Sequence, residues 1–517
     1  MKNKAVFLGN LIAFNLFLGQ AYAGDIVITP KLEVGLIGSN RITSEESSFL
    51  SKVTPSVDFD YDASRAGFNL SVNNSFINYS SDKLKDGTIF NLQSQGFFEI
   101  TDDGLILNAT SSIQNRSRSS DDISLDNLNP HDAVQIGRST LGLEYNTVNS
   151  QFYINSNLTG EHVRSQDNAE EKDGITFNFE SGNGTDSKYI LWSSSLNFDK
   201  YEQTTRNYEY YSGEFMLGAI TNFYFNPFVR VFAEDVSGNI VDRPNENMES
   251  LGAGFNVKLG NNLSLFASFN KVSKESTLDD YFAADITWNP SDRTSLHASY
   301  GQRFFGDTYE LSFQQTLGKV KTKILYKESV RAFDTFDYEL NSLGYFLCPI
   351  EGFDNIGDCR LPDTGNINLV DYTFIELNER VAIKNKEYSL YREGEWSHIF
   401  DTSIAELELY AKYTFNERME SGKINESTSY GMKVNKDLNE LSNLFFEIKY
   451  VDRRYDKNKV NESWQATDYL LAKLTFKREL NSTLNAEFNM QYVDKNSNRI
   501  NHTYEESRVS LSFTKEF

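Results

Sequence analysis

The chain is poor in the residues that build most catalytic and metal sites. Of its 517 residues only 2 are cysteine, 5 histidine and 8 proline. Two cysteines exclude a disulfide-stapled scaffold and a thiolate-rich metal centre. The histidines, His131, His162, His297, His398 and His502, are scattered, with no H-E-x-x-H and no zinc-ligand spacing. There is no P-loop, no G-x-S-x-G elbow, no G-x-G-x-x-G and no EF-hand loop. No catalytic residue, metal or cofactor is therefore expected. Only a hydrolase assembled from Ser, His and an acid on separate strands would escape this reading. Beyond Ala23 no run of 18 apolar residues occurs, which excludes a transmembrane helix. Basic charge is also short: 50 Lys and Arg face 73 Asp and Glu, a net charge of −23, so nucleic acid is not a partner.

What is abundant is aromatic. The chain holds 28 Tyr and 39 Phe. Aromatic-rich, proline-poor sequence suits strands, because proline cannot donate to a sheet ladder. The mean hydropathy is negative. That is wrong for a helical membrane protein and normal for a barrel, where alternate residues meet lipid.

The two ends agree. Lys2 and Lys4, the apolar stretch Ala5–Leu18 and Ala21-Tyr22-Ala23 before Gly24 read as a secretory signal peptide over 1–23, outside the fold. At the other end Val509, Leu511, Phe513 and Phe517 share one face, and Arg508, Ser510, Ser512, Thr514 and Glu516 the other. A strand with one apolar face and a terminal Phe resembles the closing strand of a bacterial outer-membrane β-barrel. Lys515 departs from the pattern on the apolar face, where it can snorkel at a rim.

Between the ends, segments of about 9–14 residues alternate in polarity. Short turns and longer loops separate them alternately. Expected turns include Asn289–Arg293, Leu317–Lys319 and Phe225–Pro227; the longest loop is 331–386, in which 372–383 reads either as a strand or as loop. Counting these breaks predicts an all-β fold: a single transmembrane, antiparallel, up-and-down barrel of about 24 strands (22–26) over 24–517. An even count places both termini on the short-turn, periplasmic side. A soluble β-sandwich would alternate too, but would not need the leader and the terminal Phe together.

Charge assigns the faces, because a charge on the lipid face at the midplane costs about 2–4 kcal/mol. In 294–304, Leu296, Ala298, Tyr300 and Phe304 would face lipid, and Ser295, His297, Ser299, Gly301 and Arg303 the lumen. Ile324 and Tyr326 oppose Lys321, Lys323 and Lys327. Phe446, Ile448 and Tyr450 oppose Glu447 and Lys449. Leu470, Ala472, Leu474 and Phe476 oppose Lys473 and Lys477. With Lys433 these lysines form a candidate cationic strip lining the lumen, which would select anionic permeants. The alternative is neutralisation by Glu310, Glu408 and Glu447 on neighbouring strands. Arg303 is expected either to bind an anionic sugar or to pair with Glu310, and His297 to line the pore. Cys348 and Cys359 both fall in the longest loop, and an oxidising envelope favours a disulfide between them. Such a stiffened loop either folds into the lumen as a plug or projects from the surface.

Residues 288–306, Trp-Asn-Pro-Ser-Asp-Arg-Thr-Ser-Leu-His-Ala-Ser-Tyr-Gly-Gln-Arg-Phe-Phe-Gly, followed by a Tyr-containing hairpin over 308–330, resemble an outer-membrane family associated with PEP-CTERM/exosortase and exopolysaccharide gene neighbourhoods. The resemblance implies a barrel serving exopolysaccharide export or assembly, with polysaccharide-export components as partners and no catalytic residues. A general or substrate-specific porin is the second expectation, a barrel enzyme acting on lipid or glycan the third. The barrel reading adds outer-membrane lipid, lipopolysaccharide and the barrel-assembly machinery of a Gram-negative bacterium as partners.

Overall fold

A computed structural model describes residues 24–40, 48–80, 86–102, 104–117, 133–166, 171–184, 186–203, 206–221, 223–238, 247–260, 262–273, 278–332, 336–349, 372–384, 388–402, 404–418, 422–457, 465–498 and 503–517. The leader expected over 1–23 lies outside these residues. So does the Cys348–Cys359 pairing: Cys359 and the Cys348 side chain are both outside the description.

The strands are β1 (Gly24–Ser39), β2 (Ser48–Ala63), β3 (Ala66–Tyr79), β4 (Gly87–Glu99), β5 (Leu105–Ser117), β6 (Ala133–Val148), β7 (Phe152–Ser165), β8 (Lys172–Asn183) and β9 (Ile190–Gln203). Then come β10 (Arg206–Ala219), β11 (Phe225–Ser237), β12 (Asn247–Leu259), β13 (Leu263–Val272), β14 (Tyr281–Ser291), β15 (Thr294–Arg303), β16 (Gly306–Leu317) and β17 (Val320–Ala332). The remainder are β18 (Phe336–Pro349), β19 (Tyr372–Lys384), β20 (Tyr388–Asp401), β21 (Glu406–Arg418), β22 (Ile424–Asn439), β23 (Ser442–Lys457), β24 (Gln465–Asn481), β25 (Leu484–Ser497) and β26 (Tyr504–Glu516).

All but β18 and β19 form one antiparallel 24-stranded sheet. β17 pairs directly with β20, while β18 and β19 hydrogen-bond only to each other. The segment 372–383 is thus a strand, but of a separate hairpin. The sheet closes where β1 meets β26, from Lys31↔Glu516 to Ser39↔Arg508, and the Phe517 N–H donates to the Pro30 carbonyl at 2.9 Å. Closure removes both edges, the condition for strands to cross hydrocarbon, where no water can satisfy a free N–H or C=O.

Alternation decides the faces. On β11 the outward Val229 and Val231 are 49% and 48% exposed, while the inward Arg230 and Glu234 are 9% and 1% exposed. The outer surface carries aliphatic residues between two aromatic girdles. Trp192, Tyr224, Phe225 and Trp288 lie towards the short-turn rim; the pairs Tyr300–Tyr309 and Tyr430–Tyr450, each with ring centroids 5.2 Å apart, lie towards the long-loop rim. Val509, Leu511, Phe513 and Phe517 point outward into this band. Lys515 also points outward, and its Nζ donates to the Thr483 hydroxyl in the adjacent turn, which keeps the charge at the rim. A closed, apolar-belted barrel with girdled rims is an outer-membrane β-barrel.

Two boundary expectations are corrected. Phe225–Pro227 belongs to β11, and the chain reverses before Phe225: the Thr221 N–H donates to Asn226 Oδ1 at 2.8 Å, and the Thr221 hydroxyl donates to the Phe225 carbonyl at 2.7 Å. The short-long alternation is also incomplete, since on the loop side only two residues separate β9 from β10 and β15 from β16.

The wall is creased at β12. Gly252 and Gly254 both face inward there. A Cβ at Gly252 would collide with Asn270 Oδ1, and one at Gly254 with the Ala267 carbonyl and the Phe228 ring. With no side chain at Gly254, the inward side chains of the two neighbouring strands meet across it. Phe228 on β11 and Phe266 on β13 stack at 4.3 Å. Glycine at such a position lets a sheet bend sharply.

Candidate functional site: the lumen wall

The inner face is divided by chemistry. Along β17 and β20–β25 it alternates lysine and glutamate from strand to strand. Lys327 stands opposite Glu310 and Glu393, and Glu447 opposite Lys433 and Lys473. Some of these are ion pairs. Lys433 Nζ is 2.9 Å from Glu408, Lys477 Nζ is 3.1 Å from Glu487, and Lys412 Nζ is 2.5 Å from Glu393 and 2.8 Å from Glu395. Glu447 accepts from the Tyr410 hydroxyl at 2.9 Å, and Lys433 sits 4.5 Å from the Tyr410 ring centroid.

The other lysines are not neutralised in this way. Among the described residues, Lys321, Lys323, Lys327, Lys449 and Lys473 have no carboxylate oxygen within 4.0 Å. Lys321, Lys323 and Lys327 are exposed, and Lys449 and Lys473 half-buried. Neutralisation by neighbours, weighed for the whole strip, thus applies to Lys433 and Lys477 but leaves five lysines outside ion-pair distance of any described carboxylate. Lys412 was missed from the sequence, although the alternation Glu408-Tyr410-Lys412 carries its signal.

By strand order, the wall roughly opposite is β2–β9. Its inner face is rich in amides: Asn73 pairs in register with Asn91, and Asn178 with both Asn157 and Asn197. The Asn91 side-chain amide donates to Asn73 Oδ1 at 3.1 Å. Asp58, Glu144, Glu180 and Asp199 also lie on this arc, so acids and amides face the lysines.

A third sector, on β10–β14, holds a buried cluster. Arg230 donates to both oxygens of Glu214 at 3.0 and 2.8 Å, to Asn270 Oδ1 at 3.2 Å and to the Tyr281 hydroxyl at 2.9 Å. Phe232, Met248, Val272, Tyr281 and Ala283 are buried around it, with Phe304 packed against them. Phe304 was expected on the lipid face. It lies just past the end of β15, where the strand alternation no longer applies, and it turns inward.

Arg303 does point inward, but its partner is not Glu310. Its Nε donates to Glu234 Oε1 on β11 at 2.7 Å, and its Nη2 also donates to Glu234 and to the Tyr210 hydroxyl. Gly252 and Gly254 of β12 lie between β11 and β15 in the wall. His297 faces the lumen with Nδ1 3.4 Å from Asp285 Oδ2 and 3.4 Å from the Thr287 hydroxyl. Among the described residues no serine hydroxyl hydrogen-bonds to its ring, and no cluster of three or more metal-ligating side chains occurs. His162 and His398 lie in strands too, beside Asp173 and Thr322.

No family model matches the chain, and no curated protein matches it. Among solved structures, it is similar to the FrpB iron transporter from Neisseria meningitidis, with 9% identity over 97% of this chain and 82% of that one and a TM-score of 0.49. It is also similar to the siderophore receptor PirA from Acinetobacter baumannii, with 10% identity over 95% and 81% and a TM-score of 0.45. A mutant ferric enterobactin receptor from Pseudomonas aeruginosa matches at 9% identity over 94% and 81%, with a TM-score of 0.44.

Proposed function

We propose that this barrel is a solute-specific channel of the outer membrane whose β17–β24 wall binds the anionic groups of its permeant, with the short-turn rim and both termini towards the periplasm. One observation carries the reading: five lumen-facing lysines without a carboxylate partner. A lysine ammonium in a wet lumen attracts anions, and rings or strips of one sign select permeants of the other. The amide-bearing wall opposite offers donors and acceptors to hydroxyl groups. An acidic polysaccharide meets both surfaces: its charge suits the lysines, and exopolysaccharide is what the resemblance over 288–330 implies. The step from such a channel to exopolysaccharide export rests on that resemblance. A general porin would pass small solutes without binding them.

The two differ in a planar bilayer. A short oligo-uronate added to one side is expected to interrupt the current, and a neutral oligosaccharide of the same length to do so far less. Equal effects of the two, or none from either, would contradict binding at the lysine wall.

A further inference from the structure

We infer that the β15–β16 hairpin is a strap folded into the lumen and held by a clasp between Arg303 and Glu234, and that this clasp sets the size of solute the channel admits. The inference rests on the channel reading above but not on the charge of the permeant.

Three strands, β12, β13 and β14, separate Arg303 from Glu234 in the wall. The contact therefore spans the inside of the crease rather than one ladder. Glu234 is fully used. Oε1 accepts from Arg303 and from the Tyr210 hydroxyl at 3.0 Å, and Oε2 accepts from the Phe304 backbone N–H at 3.1 Å. Its side chain has no solvent exposure, whereas that of Arg303 keeps 27%. A carboxylate at such depth is tolerated only while its donors stay in place. Phe304 adds an apolar anchor against the Tyr208–Val236 pair, and the Arg303 guanidinium lies 5.8 Å from the Phe305 ring centroid. The connection itself is two residues long and is closed by Gly306 at φ +116°, a conformation that favours glycine.

The strap covers what would otherwise be lumen surface. Met248 is 0% exposed and Val236 3%, both face inward, and Phe304 of the strap packs against the clusters that hold them. With the strap released, this sector would join the water path.

The test is single-channel conductance, together with the size of neutral polymer that enters the pore, for Arg303→Gln, Glu234→Gln and Phe304→Ala. The last removes the anchor and leaves the ion pair intact. Each variant is first checked as a folded barrel by its heat-modifiable mobility. Conductance is expected to rise about twofold, and polymers excluded by the unsubstituted protein to enter. Block by the oligo-uronate should persist, because the lysines are untouched. Cysteines at Val236 and Phe304 in the Arg303→Gln background, with Cys348 and Cys359 replaced by serine, should return the conductance to its starting value when oxidised and release it when reduced. Folded variants with unchanged conductance and polymer exclusion would overturn the clasp. A protein that conducts in no form would instead overturn the channel.

Discussion

Removal of Tyr504–Phe517 is expected to leave no folded barrel. β26 is the strand that closes the sheet, paired along its length with β25 and with β1 from Lys31 to Ser39. Without it two strand edges would stand open in hydrocarbon, and each unsatisfied backbone group there costs several kcal/mol. Such a total exceeds the stability of ordinary domains. Single substitutions should fall in order of face. Leu511→Arg places a charge in the outward apolar band and should cost about 2–4 kcal/mol. Ser510→Arg, one residue away on the wet inner face, should cost far less. Heat-modifiable mobility of outer-membrane fractions reads both effects. A truncated chain that still migrates as a folded barrel would remove β26 from its closing role.

The faces of the best-patterned strands were legible because period-two alternation is local. Lys321, Lys323 and Lys327 against Ile324 and Tyr326, or Lys473 and Lys477 against Leu474 and Phe476, need no knowledge of distant residues. The same holds for the strand count, since turns punctuate the chain where pairing reverses. What escaped the sequence is tertiary. Nothing near Arg303 announces Glu234, 69 positions away, because their meeting crosses other strands of the wall, among them β12 with Gly252 and Gly254. Phe304 was assigned to lipid by continuing an alternation past the strand end. Phe225–Pro227 reads as a turn because it carries Asn226, a turn-forming residue, yet it belongs to β11 and Pro227 stands in its outward row. The lysine strip is legible as a face but not as paired or unpaired charge: the same pattern sets Lys433 in an ion pair with Glu408 and leaves Lys449 without a carboxylate at ion-pair distance.

That difference predicts the largest effect on binding. Lys321→Glu, Lys323→Glu and Lys449→Glu together are expected to abolish block by an oligo-uronate. Two unit charges about 4 Å apart interact by about 1 kcal/mol in bulk water and about 4 kcal/mol at an effective dielectric of 20. Losing an attraction and gaining a repulsion at even the lower figure is about 2 kcal/mol per site, or about 30-fold in affinity. Three such sites move block beyond reach of any practical concentration. Lys433→Glu should behave differently. It sets two like charges against Glu408 and so lowers stability more than it changes block. Equal loss of block from Lys433→Glu and from the triple variant would mean that the paired and unpaired lysines are not distinct.

The most direct measurement is the accessibility of single cysteines in a background with Cys348 and Cys359 replaced by serine. Positions 449 and 473 line the lumen, and positions 448 and 474 face lipid on the same two strands. In intact membranes a charged, water-soluble thiol reagent should label Lys449→Cys and Lys473→Cys and spare Ile448→Cys and Leu474→Cys. Labelling in the reverse pattern, or of all four alike, would contradict a barrel whose lysine-bearing face lines the water path.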